Sequence, residues 1–160
     1  MRGPDIMQDT LFTVRSLDSF VPENHPLRPI REILNRALKD MDAAFEAMYA
    51  ESGRDSIPPE KLLRALMLQL LYSIRSERLV VEQLSYNLLF RWFVGVSMDD
   101  APWDHSTFSK NRERLIEHDA AGLLFDGVVA QARAQGLLSS EHFSVDGTLV
   151  RAWASLKRPR

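Results

Sequence analysis

The sequence predicts a mainly α-helical bundle followed by a short β segment. Apolar residues recur at three- and four-residue steps through most of the chain, which is the spacing of one helix face. After Ser140 this pattern changes to alternation, with Phe143 and Val145 followed by Leu149-Val150. Such alternation favours a strand or a hairpin, so the last part of the chain differs in type from the rest.

The composition is that of an ordinary globular protein. Of the 160 residues, 45% are hydrophobic and 26% are charged, enough for one domain with a real core. The absence of cysteine excludes disulfides and cysteine-based zinc sites. No apolar run approaches the ~20 residues of a membrane span, so a cytoplasmic protein without membrane contact is expected. The net charge of −2 argues mildly against a dedicated DNA-binding protein, which is usually basic.

Two long helices are predicted in the first half of the chain. Pro26 and Pro29 suit a first helical turn, whose N–H groups have no partner, and the apolar periodicity then continues toward Gly53. The second helix begins after Ser56-Ile57-Pro58-Pro59 and continues to Ile74. Because it has almost no polar face, it is expected to be the central buried helix. Its apolar residues are Leu62, Leu63, Leu66, Met67, Leu70, Leu71 and Ile74.

Two more helices surround a polar loop. One is predicted over residues 79–94, with Ser76 near its start and Gly95 at its end. The run Asp104-His105-Ser106-Thr107 then offers several capping side chains for a helix at 108–116.

A last helix completes a predicted bundle of about five. His118-Asp119 is expected to cap a helix at 120–135, which stops at Gly136. The chain then divides into an N-terminal arm, a helical domain and a C-terminal segment, namely residues 1–25, 26–138 and 139–160.

The stretch from Val80 to Ile116 is typical of a helix-turn-helix-like unit, whose second helix enters the major groove of DNA. Lysine and arginine bind phosphates or guanine, and asparagine forms hydrogen bonds with adenine. Serine and threonine form hydrogen bonds with phosphates or with several bases. The candidate DNA-binding residues are Ser106, Thr107, Ser109, Lys110, Asn111, Arg112 and Arg114. A purely solvated helix face stays open as the alternative, because the loop exceeds the ~3–4-residue turn of a standard motif.

The aromatic run Tyr86–Phe93 has two interpretations. Apolar side chains at helical spacing, Trp92 and Phe93 among them, favour burial in the core. Stacking on nucleic acid is the less favoured alternative. Arg91 is expected to be exposed between these side chains or paired with an acidic residue of the Asp99-Asp100 loop.

Asp146 also has two interpretations. Asp-Gly between two apolar runs favours a type I′ hairpin turn. The alternative is a strand-borne carboxylate that binds a divalent metal ion. A two-metal phosphoryl-transfer site needs several carboxylates, so Asp146 alone does not build one. The four histidines are scattered without helical pairing, which argues against a zinc site.

Several runs, in their order along the chain, resemble the N-terminal part of insertion-sequence DDE transposases, the InsH-like transposase N-terminal domain. The resemblance extends from about Leu11 to Leu156. Its most specific runs are Tyr86–Gly95 and Asp104–Arg112 in combination. Further matching runs are His25–Arg31, Gly53–Leu71, Ser73–Arg78 and the segment around Asp146.

This resemblance implies a helical DNA-binding region joined to an RNase H-like catalytic domain that would begin with the β segment. It also implies that Asp146 is the first of three acidic ligands for two Mg²⁺ ions in the full-length family. The other two acidic residues do not follow in this chain. A truncated fragment, catalytically inactive alone and with no Mg²⁺ of its own, is therefore expected.

The expected function is that of a DNA-binding N-terminal fragment of a transposase in DNA transposition and recombination. Its expected partner is the terminal inverted repeats of an insertion element. One alternative is an all-α protein–protein module for dimerisation or for inhibition of full-length transposase. Another is a stand-alone helix-turn-helix regulator that binds an operator.

Overall fold

The computed structural model describes residues 15–48 and 56–138, and the regular secondary structure in these ranges is helical. The mainly α prediction is therefore confirmed, whereas the β segment and Asp146 lie outside the described residues. The helices are α1 (Leu17–Phe20), α2 (Leu27–Asp40), α3 (Asp42–Met48), α4 (Pro59–Leu71), α5 (Glu77–Tyr86), α6 (Leu88–Val94), α7 (His105–Glu117) and α8 (Ala120–Ala134).

The first predicted helix is in fact two helices, because the chain bends at Met41. Its backbone has φ −95° and ψ 0°, and its N–H donates to the carbonyl of Leu38. Met41 and Phe45 are both buried, at 7% and 5% exposure. The apolar pattern therefore continues across the bend, and the prediction of one continuous helix was wrong.

The helix predicted over residues 79–94 is also broken, at Asn87. This residue is extended, with φ −87° and ψ 104°, and ends α5. Its side-chain oxygen then accepts a hydrogen bond from the backbone N–H of Phe90 at 3.2 Å, which caps α6. One asparagine thus ends one helix and begins the next.

The central helix α4 packs against α5, α6 and α7. Leu63 and Leu68 are at most 2% exposed, as expected for the central helix. The helix ends at Leu71 instead of Ile74, however, and its last turn is open to solvent. Leu70 and Leu71 are 47% and 43% exposed, so the prediction of burial almost all round fails at this end.

The last helix, α8, packs closely on α2 through a glycine. A Cβ atom at Gly127 would lie 3.2 Å from the Cβ of Ala37, tighter than an ordinary contact. Ala37 is 1% exposed, and Leu124 on α8 is 5% exposed. The lack of a side chain at Gly127 therefore permits the close approach of α8 to α2.

Two of the predicted capping residues are confirmed by the backbone. Ser76 accepts a hydrogen bond from the N–H of Leu79 at 3.3 Å, and Gly95 ends α6 in the left-handed region with φ 86°. At α8 the expected capping fails. Asp119 precedes this helix with φ 51° and makes no side-chain cap bond.

Helix α1 packs on α6 through a polar cluster. The indole Nε1 of Trp92 donates to Asp18 at 2.8 Å, and Arg28 forms an ion pair with the same carboxylate at 3.0 Å. Trp92 and Phe93 are 5% and 0% exposed, which confirms the core interpretation for the second half of the aromatic run, whereas Tyr86 at its start is 60% exposed. Within the two described ranges, no helix has the length and apolar content to cross a membrane.

Candidate nucleic-acid interface

The helix α7 begins at a well-formed cap. Asp104 accepts hydrogen bonds from the backbone N–H of Ser106, at 2.8 Å, and from its hydroxyl. The bond from the hydroxyl, and then the bond from the N–H, lower the pKa of Asp104 below its ordinary value. The helix therefore starts at His105, three residues before the predicted start at 108.

One face of α7 is buried in the core. Phe108 and Leu115 are 0% and 1% exposed, and Asn111 lies between them at 7%. The side-chain amide of Asn111 donates to the carbonyl of Thr107 at 2.8 Å, which satisfies part of its hydrogen-bonding capacity inside the protein. Asn111 therefore lies on the inner face of α7, away from those candidates that are exposed.

A second face of α7 contacts the first turn of α5. Arg112 forms an ion pair with Glu77, and the hydroxyl of Ser109 donates to the other oxygen of that carboxylate. The Glu77 side chain is 13% exposed and that of Arg112 is 32% exposed. Glu77, Ser109 and Arg112 form what we call the Glu77 cluster, which fixes α7 against α5.

The remaining candidates point outward or sit at the margin. Ser106, Thr107 and Lys110 are exposed on the N-terminal half of α7, and we call them the α7 surface. Arg114 is half-buried and interacts with another part of the protein. The structure thus separates six of the seven predicted residues into an outer group, an inner asparagine and a group that contacts α5, with Arg114 outside all three.

An open groove of about 520 Å³ lies beside the α7 surface. Arg78 and Glu82 of α5 line one side, and Trp103 and His105 line the other. The Trp103 ring stacks on Phe108, with centroids 6.1 Å apart and planes at 14°. An aromatic wall and one arginine therefore adjoin the start of α7.

The loop before α7 is held by a buried arginine. Arg91 is 4% exposed, and its Nη1 donates to the carbonyl of Leu84 at 2.6 Å. Its Nη2 lies within hydrogen-bonding distance of the carbonyls of Ser97, Met98 and Asp100. The prediction that Arg91 is exposed or paired with an acidic side chain of the Asp99-Asp100 loop was therefore wrong. Arg91 contacts the same loop through backbone oxygens, which fixes the path of the chain into α7.

Sequence reasoning missed Glu77, Arg78, Trp103 and His105 as parts of this surface. Glu77 precedes Arg112 by 35 positions, and no spacing rule relates two residues so far apart. The capping serine at position 76 predicts a helix start but not which helix lies opposite. These four residues become visible only when α5 and α7 are placed side by side.

A metal centre is not formed by the described residues. Within 15–48 and 56–138, no group of three histidine, cysteine, aspartate or glutamate side chains is arranged to hold an ion. Asp146 lies outside these ranges, so its role as a Mg²⁺ ligand stays a prediction.

Comparison with known proteins identifies the family. No solved structure matches this chain. The family model of the transposase domain DUF772 matches residues 15–114, which includes the region from α1 into α7. This range contains the α7 surface, the Glu77 cluster and the loop held by Arg91. The match covers more than half of the chain, which therefore belongs to the DUF772 transposase-domain family and has an insertion-sequence transposase-like N-terminal region.

Proposed function

We propose that the helical domain binds DNA in transposition, with the α7 surface as its principal contact. One observation supports this most directly. In a member of a transposase-domain family, the capped N-terminal half of α7 presents a threonine hydroxyl and a lysine to solvent. Thr107 supplies the hydroxyl and Lys110 supplies the charge, whereas the hydroxyl of Ser106 already donates to Asp104. Such side chains are common donors to the phosphate oxygens of DNA.

The distribution of charge along α7 favours its N-terminal half. Glu113 and Glu117 are exposed on the C-terminal half, where they repel phosphates. The N-terminal end of a helix has the positive end of the macrodipole. Arg78 and His105 border the adjacent groove and add donors on the same side, although Glu82 and Asp104 also line this groove. A duplex therefore meets the first turns of α7 rather than its whole length.

The predicted DNA-binding residues have different roles in this proposal. Lys110 contacts phosphate directly. Arg112 and Ser109 position α7, because Arg112 already forms an ion pair with Glu77 and the hydroxyl of Ser109 already donates to the same carboxylate. Asn111 supports the helix from within, since only 7% of it is exposed. In this arrangement α5, α6 and α7 act as a helix-turn-helix-like unit with a long connection, and α7 is the recognition helix.

A salt titration of DNA binding tests the proposal. One fluorescein-labelled duplex carries the terminal inverted repeats found in DNA flanking the gene, and a second has the same composition in scrambled order. Lys110→Gln should weaken binding to both and lower the slope of log K against log salt by about 0.9, the value for one phosphate contact. Lys39→Gln removes the same charge from an exposed position on α2 and should leave both quantities unchanged.

Two results would contradict this function. The first is the absence of salt-dependent binding by the wild-type protein to either duplex. The second is equal affinity and salt slope for wild type and Lys110→Gln. A preference for the inverted-repeat duplex over the scrambled one separates a transposon-end function from general DNA binding.

Self-association is a second candidate, favoured by apolar side chains on α8. Phe125 is 68% exposed and Leu123 is 45% exposed, although single exposed apolar residues are common on surfaces. Sedimentation velocity over a range of protein concentrations tests this candidate. Phe125→Ser should reduce any dimer, whereas Tyr86→Ser, at a residue 60% exposed on α5, serves as the control.

A further inference from the structure

Two arginines from different helices converge on the C-terminal end of α6. Nε of Arg31, on α2, donates to the carbonyl of Phe93 at 3.3 Å. Nη1 of Arg64, on α4, donates to the carbonyl of Val94 at 3.4 Å. These carbonyls belong to consecutive residues, and the charge of Arg31 acts on Arg64 through space, so the two guanidinium groups are neighbours. We call Arg31 and Arg64 the arginine pair.

Neighbouring side chains hold the arginine pair in place. Asn35, one helical turn after Arg31, accepts a hydrogen bond from Nε of Arg64 at 2.9 Å. The guanidinium of Arg31 lies over the Trp92 ring, 4.6 Å from its centroid. Both arginines are half-buried, so their positions are set by packing as well as by these polar contacts.

Neither arginine has a carboxylate ion-pair partner within residues 15–48 and 56–138. Asp18 acts on Arg31 through space, but its oxygens already accept from Arg28 and Trp92. Glu60 acts on Arg64 through space and forms no ion pair with it. The positive charge of the pair is therefore balanced only by helix-end carbonyls and by distant carboxylates.

Several donors of the arginine pair remain free. Each guanidinium has five N–H groups in a planar fork. Both terminal nitrogens of Arg31 and Nη2 of Arg64 make no hydrogen bond to the described residues. These nitrogens are not among the buried polar atoms that lack a partner, so they reach solvent. A ligand has access to them.

Without a bound anion, the two positive charges of the arginine pair are electrostatically unfavourable. Burial lowers the pKa of both arginines, and the charge of Arg31 lowers the pKa of Arg64 further. Two like charges in a partly desolvated place repel each other, and an anion placed between them relieves this repulsion.

We propose that Arg31 and Arg64 together bind one phosphate group. Guanidinium forks match the geometry of phosphate oxygens, and charge-assisted hydrogen bonds to phosphate are among the strong ones. The group is either a phosphate of the DNA backbone or a free phosphate or its ester. The competing explanation is that both arginines only cap the C-terminal end of α6, which requires no ligand.

A phosphate titration separates these explanations without any DNA, so its result does not depend on the role of α7. The probe is inorganic phosphate, added at constant ionic strength in exchange for chloride, and the readouts are calorimetry and the shift in melting temperature. Arg31→Gln and Arg64→Gln should each weaken binding about tenfold, because each removes charge-assisted hydrogen bonds. Arg36→Gln changes the same charge at an exposed position of α2 and should bind as the wild type does.

Folding is controlled within the same experiment. Each variant is compared with its own phosphate-free form, and helicity is checked by circular dichroism. If a glutamine variant does not fold, Arg31→Lys and Arg64→Lys are used, which keep the charge but lose the planar fork. These lysine variants should bind phosphate more weakly than the wild type. Equal binding by the folded variants and the wild type, or no saturable binding by the wild type, would overturn the proposal.

A DNA arm then identifies the source of the phosphate. If the pair contacts the DNA backbone, Arg31→Gln should lower the salt slope of duplex binding by about 0.9, independently of Lys110→Gln. If phosphate binds but the slope is unchanged, the ligand is a free phosphate or its ester, and the site stands. Loss of phosphate binding in Arg36→Gln to the same degree would show a non-specific charge effect and overturn the site.

Discussion

The carboxylate of Glu77, in the first turn of α5, forms an ion pair with Arg112 in the middle of α7. The same carboxylate accepts a hydrogen bond from the hydroxyl of Ser109. Because Arg112 and Ser109 lie less than one turn apart on α7, both contacts act on one side of that helix. The orientation of α7, and therefore the direction in which Lys110 points, depends on this carboxylate.

Arg112→Met should lower the free energy of unfolding by about 1–3 kcal/mol, because it leaves the mostly buried Glu77 carboxylate without its cation. Methionine retains an apolar stem in place of the arginine chain. Urea denaturation measures the change. The control Arg36→Met, at an exposed site of α2, should stay within about 0.5 kcal/mol of the wild type.

A double-mutant cycle with Glu77→Gln isolates the pair itself. The two residues are in contact, so their coupling energy should lie at about 0.5–3 kcal/mol. Additive effects of the two substitutions would mean that the ion pair does not stabilise the packing of α7 on α5.

Arg91→Met should destabilise the protein by about 2–4 kcal/mol, since it leaves the carbonyls of Leu84, Ser97 and Asp100 without their buried donor. Urea denaturation measures the loss. Hydrogen exchange should also become faster at residues 97–100, where the loop loses its attachment to α6.

The contrary outcome for Arg91 is well defined. A change below about 0.5 kcal/mol, with unaltered exchange at residues 97–100, would mean that the loop holds its conformation without the arginine. The path into α7 would then be set by other contacts, such as the stacking of Trp103 on Phe108 and the hydrogen bond from the N–H of Ser97 to Asp100.

Capping residues, apart from Asp119, were predicted from the sequence better than the exact bounds of the helices. Ser76 and Gly95 act on N–H and C=O groups a few residues away, so the local sequence contains the necessary information. Asp104 likewise caps α7 from the adjacent turn. The general helical character follows from apolar periodicity for the same reason.

Breaks between helices, and the contacts between residues of separate helices, could not be predicted from local sequence. The apolar pattern passes through Met41, which is itself buried, so periodicity contains no sign of the bend. Asn87 is a good cap, but the strong aromatic run after it favoured a continuous helix. The Glu77 cluster and the arginine pair join residues from separate helices, and only tertiary packing decides which of them meet.

Leu68→Ala and Leu70→Ala should differ strongly although both lie on α4. Leu68 is 0% exposed, so its truncation should cost about 2–5 kcal/mol, including the cavity that it leaves. Leu70 is 47% exposed, so its truncation should lower the free energy of unfolding by less than about 1 kcal/mol. Urea denaturation of both variants gives the comparison, and a cost for Leu70→Ala equal to that of Leu68→Ala would place the last turn of α4 in a buried environment.

Stability in acid should depend on Asp18, which joins α1 to α2 and α6. The hydrogen bond from Arg28, and then that from Trp92, lower the pKa of this carboxyl below its ordinary value of 3.8. A group with a lowered pKa in the folded state stabilises the protein above its unfolded-state pKa, and this contribution is lost as pH falls through the folded value. Asp18→Asn should therefore be less stable than the wild type at neutral pH, and the difference should disappear below pH 3.8.

Urea denaturation of wild type and Asp18→Asn across this pH range tests the dependence. Asp104 also has a lowered pKa, but it is present in both proteins, so its contribution cancels in the difference. In an Arg28→Gln background the pH-dependent part should shrink, because Arg28 is the largest cause of the shift. High salt should shrink it too, since the Asp18 side chain is 62% exposed and its ion pair is screened. A stability difference that stays constant from neutral pH to below 3.8 would mean that the carboxylate charge does not hold α1 against α6.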